Sequence, residues 1–166
     1  LVESVGFVVS ASPGSFTYTL ALKDLILLAR PLSQVLRPGT VVALWGDLGA
    51  GKTTFARVLL QAIVGKSIDV PSPTFTLVQT YDCIQGEVWH CDLYRLKHAE
   101  EIFEIGLEDA FHQAICLIEW PERLGDLLPR HRIDIGFKII DESTREITLN
   151  LIGSHDALRT LLNTST

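Results

Sequence analysis

Methionine is absent from the sequence and cysteine is scarce, with Cys83, Cys91 and Cys116 the only three. They form no C-x-x-C pair, their number is odd, and their spacing matches no zinc framework. A disulfide scaffold and a structural zinc site are therefore not expected, and the thiols read as small core residues of a reducing cytoplasm. Long apolar runs are missing as well: no stretch approaches the roughly 18 residues that a membrane span needs. Basic charge is in deficit, with 14 Lys and Arg against 20 Asp and Glu and a formal net charge of −6. Without a basic run, broad contact with nucleic-acid backbone by this chain alone is not expected. The first residues carry an apolar cluster but no basic leader, so no secretory signal is expected. The start at Leu1 rather than Met reads as a native N-terminus trimmed or left out.

What is present is an ordinary globular composition, 47% apolar and 20% charged over 166 residues. A chain of this length fits one domain that buries about 70% of its unfolded surface. Residues 15–20 alternate weakly and predict an edge strand. Between 21 and 36, Leu22, Leu25, Ile26, Ala29, Leu32 and Leu36 recur at helical spacing. Pro31 removes one hydrogen bond from that helix and crowds Leu27, so a kink or break is expected near Arg30, and Pro38-Gly39 ends the segment. Residues 40–44 form a short apolar run bounded by glycines and predict a buried strand. Phe55, Val58, Leu59, Ala62 and Ile63 mark one face of a helix that starts near Lys52 and stops at Gly65.

Pro71-Ser72-Pro73 is a stiff connector, followed by β-rich runs at 76–81 and 87–93 around a turn at Gly86. Helical character returns over 99–111, with a break at Gly106. Residues 114–118 are a second apolar run that ends in Glu119-Trp120-Pro121. Ile133, Ile135, Phe137 and Ile139, then Ile147, Leu149 and Leu151, alternate as two strands of a hairpin linked through 141–144. A short helix over 154–162 closes the chain. All of this fits a single α/β domain over residues 1–166, with 1–14 an extension that is free to be flexible.

The segment Gly46-Asp47-Leu48-Gly49-Ala50-Gly51-Lys52-Thr53 has Walker A spacing, between a buried strand and an amphipathic helix. Glycines let successive backbone N–H groups converge on phosphate oxygens, and the helix adds its unpaired N-terminal amides and positive dipole end. Lys52 is a point charge for the β- and γ-phosphates, Thr53 offers a hydroxyl to Mg²⁺, and Thr54 can bond an α- or β-phosphate oxygen. The nucleotide-binding set is thus Gly46, Leu48, Gly49, Ala50, Gly51, Lys52, Thr53 and Thr54. The corresponding fold is a P-loop NTPase-like three-layer sandwich, with a mostly parallel central sheet plus antiparallel hairpins.

Glu119 follows an apolar strand, where this fold holds the carboxylate that binds Mg²⁺ directly or through water. The other reading is a surface glutamate at a strand end. On a strand, His90 and Asp92 face the same side. Asp92 can hold the water shell of the metal or orient the attacking water, or it can form a salt bridge with Arg95. His90 reads as a core-facing imidazole and Tyr94 as a packing residue. Ser72 and Thr74 lie where P-loop switches sense the γ-phosphate, or they belong to a proline-stiffened connector.

At these residues the chain resembles the bacterial TsaE family, also called YjeE. The stretches that carry the resemblance are Gly46-Asp47-Leu48-Gly49-Ala50-Gly51-Lys52-Thr53-Thr54-Phe55 and Ser72-Pro73-Thr74-Phe75-Thr76-Leu77-Val78. To these are added His90-Cys91-Asp92-Leu93-Tyr94-Arg95-Leu96, Glu100-Glu101, Ile105-Gly106-Leu107-Glu108-Asp109 and Ile118-Glu119-Trp120-Pro121-Glu122-Arg123-Leu124. The resemblance implies a weak ATPase that needs Mg²⁺ and acts with the partner proteins TsaB and TsaD. Those partners place a threonylcarbamoyl group on an adenosine beside the tRNA anticodon, so tRNA is met through them and no membrane is involved. It implies the catalytic set Lys52, Asp92 and Glu119, with Thr53 and Glu119 on the metal and Trp120 near the nucleotide or a partner surface. Cys91 stands where the family often has an aromatic residue. Two other functions remain open. One is a small-molecule kinase in which Arg95, Arg123, Arg130 and Arg132 clamp phosphates. The other is a nucleotide-dependent binding switch without meaningful turnover. The Asn/Thr-Lys-x-Asp element expected of a GTPase does not follow the loop.

Overall fold

The two apolar runs lie side by side at the centre of the molecule, where strands covered on both faces need apolar side chains throughout. A computed structural model describes residues 8–163. The strands are β1 (Val8–Ser12), β2 (Ser15–Ala21), β3 (Val41–Trp45), β4 (Val78–Cys83), β5 (Gly86–Asp92), β6 (Ile115–Glu119), β7 (Arg132–Ile139) and β8 (Thr144–Ile152). They form one sheet in the order β1-β2-β8-β7-β3-β6-β5-β4. The four central strands β7, β3, β6 and β5 are mutually parallel, and antiparallel hairpins extend the sheet on both sides.

Helices α1 (Ile26–Val35), α2 (Lys52–Val64) and α5 (Asp156–Asn163) pack on one face of the sheet with Val42, Leu44, Leu117 and Ile135. Helices α3 (Glu101–Glu104) and α4 (Leu107–Gln113), with the 3-10 segment Pro121–Leu127, cover the other face over Val41, Cys91, Cys116 and Ile118. The three layers are those of the expected P-loop-type sandwich. Among the described residues no helix is long and apolar enough to cross a membrane.

Three local expectations change. Residues 15–20 are not an edge: β2 is paired with β8 on one side and with β1 on the other, so residues 8–12 of the expected extension belong to the sheet. Residues 1–7 lie outside the described ones. Helix α1 runs through Pro31 without a break. Losing the bond to the Leu27 carbonyl is offset by Leu28, Ala29 and Leu32, all fully buried against the core. The first β-rich run starts at Val78 rather than at 76, because Leu77 takes a left-handed turn (φ 64°) just before it. Gly106, at φ 75°, does separate α3 from α4. All three cysteines are free thiols; Cys91 and Cys116 are buried, but Cys83 is only half-buried.

At the far end of the sheet the rings of His131 and His155 stack, 4.3 Å apart and 21° from parallel. The His155 Nε2–H is shared between the carbonyls of Arg132 and Ile152, each at 3.0 Å. Burial, with help from the nearby His131 and Arg159, holds the His155 pKa below the ordinary histidine value. As pH falls through that ordinary value, the unfolded chain takes up a proton that the folded chain refuses until lower pH. Stability should therefore decline as pH falls from about 7 through the ordinary histidine value of about 6.5. Denaturant melts across that range should show a flatter decline for His155→Gln.

Candidate functional site at the carboxyl edge of the parallel strands

Strand register assembles the site. Leu44 of β3 pairs with Glu119 of β6, and Glu119 pairs with Asp92 of β5. The glycine loop leaves β3 one residue after Leu44, so loop, Glu119 and Asp92 meet at the carboxyl ends of adjacent parallel strands. Open α/β sheets bind ligands in that crevice.

The loop needs its glycines for two different reasons. Gly51 is the N-terminal cap of α2 at φ 114°, in the left-handed region. Gly46, at φ 146°, faces β7 so closely that a Cβ would sit 2.7 Å from the Phe137 carbonyl oxygen. Because that obstacle is backbone, Gly46→Ala should cost about 2–4 kcal/mol of stability, measured by urea unfolding.

Lys52 is only 5% exposed. Its ammonium donates to the carbonyls of Gly46 and Asp47 within its own loop and lies 3.8 Å from the centre of the Trp120 ring. Burial lowers its pKa, an effect opposed by the surrounding carboxylates Glu119, Glu122, Asp92 and Asp47. The next residue, Thr53, donates its hydroxyl to Glu119 Oε1 at 2.6 Å. A cavity of about 160 Å³ is lined by Leu22, Leu48, Gly49, Gly51, Lys52, Thr53, Thr54, Glu119 and Trp120. Of the expected binding set, Gly46 and Ala50 lie behind this lining.

The second oxygen of Glu119 lies 2.8 Å from His90 Nε2. His90 is fully buried, as its core-facing reading has it, but it bonds the candidate metal ligand rather than serving as packing alone. An ionised Glu119 accepts from the Nε2–H of His90, while His90 Nδ1 has no partner. Glu119 is thus held between Thr53 and His90 and is 1% exposed, which excludes the surface-glutamate reading.

Asp92 does not pair with Arg95, whose guanidinium stacks 4.4 Å over the exposed Phe75 ring. Its Oδ2 accepts from the Thr74 hydroxyl at 2.9 Å, and its Oδ1 accepts from the Tyr94 amide at 3.0 Å. The Ser72 hydroxyl is 3.5 Å from the same Oδ2 and 2.8 Å from Thr74 Oγ1, to which its one proton goes, so the connector is bound to the site through Asp92. Tyr94 packs at 4.9 Å on Trp120 and is 43% exposed, not a core residue. Leu77 and Trp120, the non-glycine residues with positive φ among those described, flank this constellation. Leu77 accepts the Asp92 amide at 2.9 Å, and Trp120 follows Glu119. Strained backbone of this kind collects at functional sites.

Of the arginines considered as phosphate clamps, Arg132 is held by Asp134 at 2.7 Å. Arg130 and Arg132 line a cavity beside Trp45 that shares no residue with the one at Lys52. One further arginine does reach the loop: Arg145 Nε donates to the Ala50 carbonyl at 2.8 Å. Its sequence signal is a charged residue at an inward position of β8, in line with Ile147, Leu149 and Leu151.

The family model described as "Threonylcarbamoyl adenosine biosynthesis protein TsaE" matches residues 20–147. The tRNA threonylcarbamoyladenosine biosynthesis protein TsaE of Rickettsia felis is 41% identical over 138 residues, covering 83% of this chain and 81% of the relative. Its Bacillus subtilis counterpart is 37% identical over 128 residues, covering 76% and 79%. The crystal structure of Bacillus subtilis YdiB superposes with a TM-score of 0.72 at 29% identity, covering 94% of this chain and 97% of that one. A match that runs from β2 into β8 takes in the glycine loop, the Ser72–Thr74 connector, Asp92 and Glu119 alike, and on that breadth the chain belongs to the TsaE family.

Proposed function

We propose that the chain binds ATP with Mg²⁺ on the glycine loop, hydrolyses it, and supports repeated turnover of TsaB and TsaD partners as they form threonylcarbamoyladenosine on tRNA in the cytoplasm. The observation that carries this reading is the convergence of Lys52, the Thr53–Glu119 pair and Asp92 at one strand edge.

The oxygen donors Thr53 and Glu119 fit Mg²⁺, which takes one or two protein ligands and completes its shell with water and phosphate oxygens. When bound, the ion supplies neutralisation of charge on the β- and γ-phosphates. Lys52 exchanges its loop carbonyl acceptors for phosphate oxygens, and a nearby anion offsets the desolvation that its ammonium bears in the folded chain. The α2 amides and the positive end of that helix bind the remaining phosphate charge. Glu119, fixed by Thr53 and His90, offers a carboxylate whose orientation is set before any ligand arrives. Asp92 orients the attacking water, with the hydroxyls of Ser72 and Thr74 linking it to the connector.

The deciding measurement is phosphate release from ATP, with and without TsaB, TsaD and tRNA. Release that rises with the partners supports the proposal. Phosphate transfer to a metabolite would instead identify a kinase, and nucleotide retained without turnover would leave only a binding switch.

A further inference from the structure

Arg145 opens β8 on its apolar side and is 5% exposed. Buried cations are ordinarily matched by a carboxylate, because an unmatched one bears its full desolvation cost. Among the described residues Arg145 has no such partner: the ion pairs join Arg132 to Asp134 and Lys138 to Glu146, and Glu119 bonds His90. Its donors all go to main-chain carbonyls, in two groups. Nε reaches Ala50 at 2.8 Å and Nη2 reaches Gly49 at 3.4 Å, both in the glycine loop. Nη1 reaches Asp141 at 2.8 Å, Thr144 at 3.0 Å and Glu142 at 3.4 Å, in the turn between β7 and β8.

We propose that Arg145 is a positioning residue of the phosphate loop, which aims the amides of the loop at the ligand and sets an unneutralised positive charge behind them. A trans peptide is planar, with its C=O and N–H pointing in opposite directions. Holding the Ala50 carbonyl on the guanidinium therefore turns the Gly51 N–H the other way, and Gly51 lines the cavity with Lys52 and Thr53. The neighbouring peptide is held at both ends: Gly49 C=O meets Arg145, and Ala50 N–H donates to the Asp47 carbonyl at 3.0 Å, closing the turn. The turn at the other end of the fork is itself ordered, since the Asp141 carboxylate accepts from the amides of Ser143 at 2.9 Å and Thr144 at 2.8 Å. The guanidinium thus anchors a loop of glycines to a hairpin from a distant part of the chain. Amides fixed in advance need not be ordered when an anion binds. A planar fork suits this task in a way that a lysine ammonium does not.

This inference rests on the triphosphate reading of the site, and the experiment separates the two. ATP and inorganic tripolyphosphate are titrated calorimetrically into the wild-type protein, Arg145→Gln, Arg145→Lys and Asn150→Ala, with a thermal melt of each. Asn150→Ala removes the bond from Ser15 to Asn150 (2.6 Å) lower on the same strand, as a control for lost stability alone. Arg145→Gln should bind both ligands about 10-fold or more weakly, and Arg145→Lys should fall between it and wild type, as expected for lost charge-assisted bonds. The loss should be equal for the two ligands, because it arises at the phosphates, and Asn150→Ala should keep wild-type affinity. Unchanged affinity in folded Arg145→Gln would overturn the inference, as would a loss in Asn150→Ala that matches its stability loss in the same way. If Arg145→Gln does not fold, Arg145→Lys decides by the same criterion. If wild-type protein retains neither ligand, the triphosphate reading fails and this inference with it; if it retains both and the Arg145 variants do too, only this inference fails.

Discussion

Lys52→Ala should weaken ATP binding by roughly 10- to 100-fold in titration calorimetry, the equivalent of about 1.5–3 kcal/mol for a charge-assisted hydrogen bond to phosphate. The fold should be nearly indifferent. Among the described residues the Lys52 ammonium makes no carboxylate bond: it donates to the carbonyls of Gly46 and Asp47 and lies over Trp120. Burial lowers its pKa, which is the sign of a charge that the fold holds at some cost. Removing the side chain deletes those few contacts and relieves that cost together, so the change in unfolding free energy should stay within about 1 kcal/mol. A large affinity loss with little stability loss is the signature of a residue kept for a ligand. Unchanged affinity would remove Lys52 from the binding site.

The second large effect is expected at Glu119. In Glu119→Gln one acceptor remains for the Thr53 hydroxyl, which lies 2.6 Å from Oε1 in the wild type. The new amide group faces His90 Nε2, where a carboxylate oxygen stood at 2.8 Å. Either both present N–H, or the imidazole moves its proton to the unpartnered Nδ1, or the amide flips and gives its N–H to the Thr53 oxygen. Each case replaces charge-assisted bonds with weaker or mismatched ones, so stability should drop by about 1–3 kcal/mol. Turnover should fall further than that suggests, by at least about 100-fold, because the negative charge proposed to hold Mg²⁺ is gone. ATP affinity should change by only several-fold, since Lys52 and the loop amides remain. Single-turnover phosphate release alongside calorimetry gives the comparison. Turnover equal to wild type would exclude Glu119 from catalysis.

Where the chain itself carries the information locally, the reading and the structure coincide. The run at 40–44 becomes β3 (Val41–Trp45), the helix expected from Lys52 to Gly65 is α2, and the alternating isoleucines form the β7–β8 hairpin. The places that differ are those where a distant partner decides. Residues 15–20 carry no mark of the strand that covers their outer side, since that strand comes from a segment read as an extension. Pro31 marks a helix break by local rules, yet α1 continues because its buried face is held by the core. Asp92 and Arg95, three residues apart, suggested each other; the partner of Asp92 proves to be Thr74, joined to Ser72, and the β4–β5 hairpin brings both back beside it.

The glycine loop, its lysine and threonine, and the strand that feeds them are contiguous in the chain, so their spacing alone carries the phosphate-loop expectation. Local periodicity likewise settles the α/β character, because 3.6-residue and two-residue patterns depend on neighbours only. The pairing of Glu119 with His90, 29 residues away, and the reach of Arg145 to Ala50, 95 residues away, have no local signature. Both depend on which strands lie side by side and in what register. That is settled only when the two faces of the sheet are buried together, since burial of the whole core, and not any one segment, selects the register that leaves no apolar face exposed.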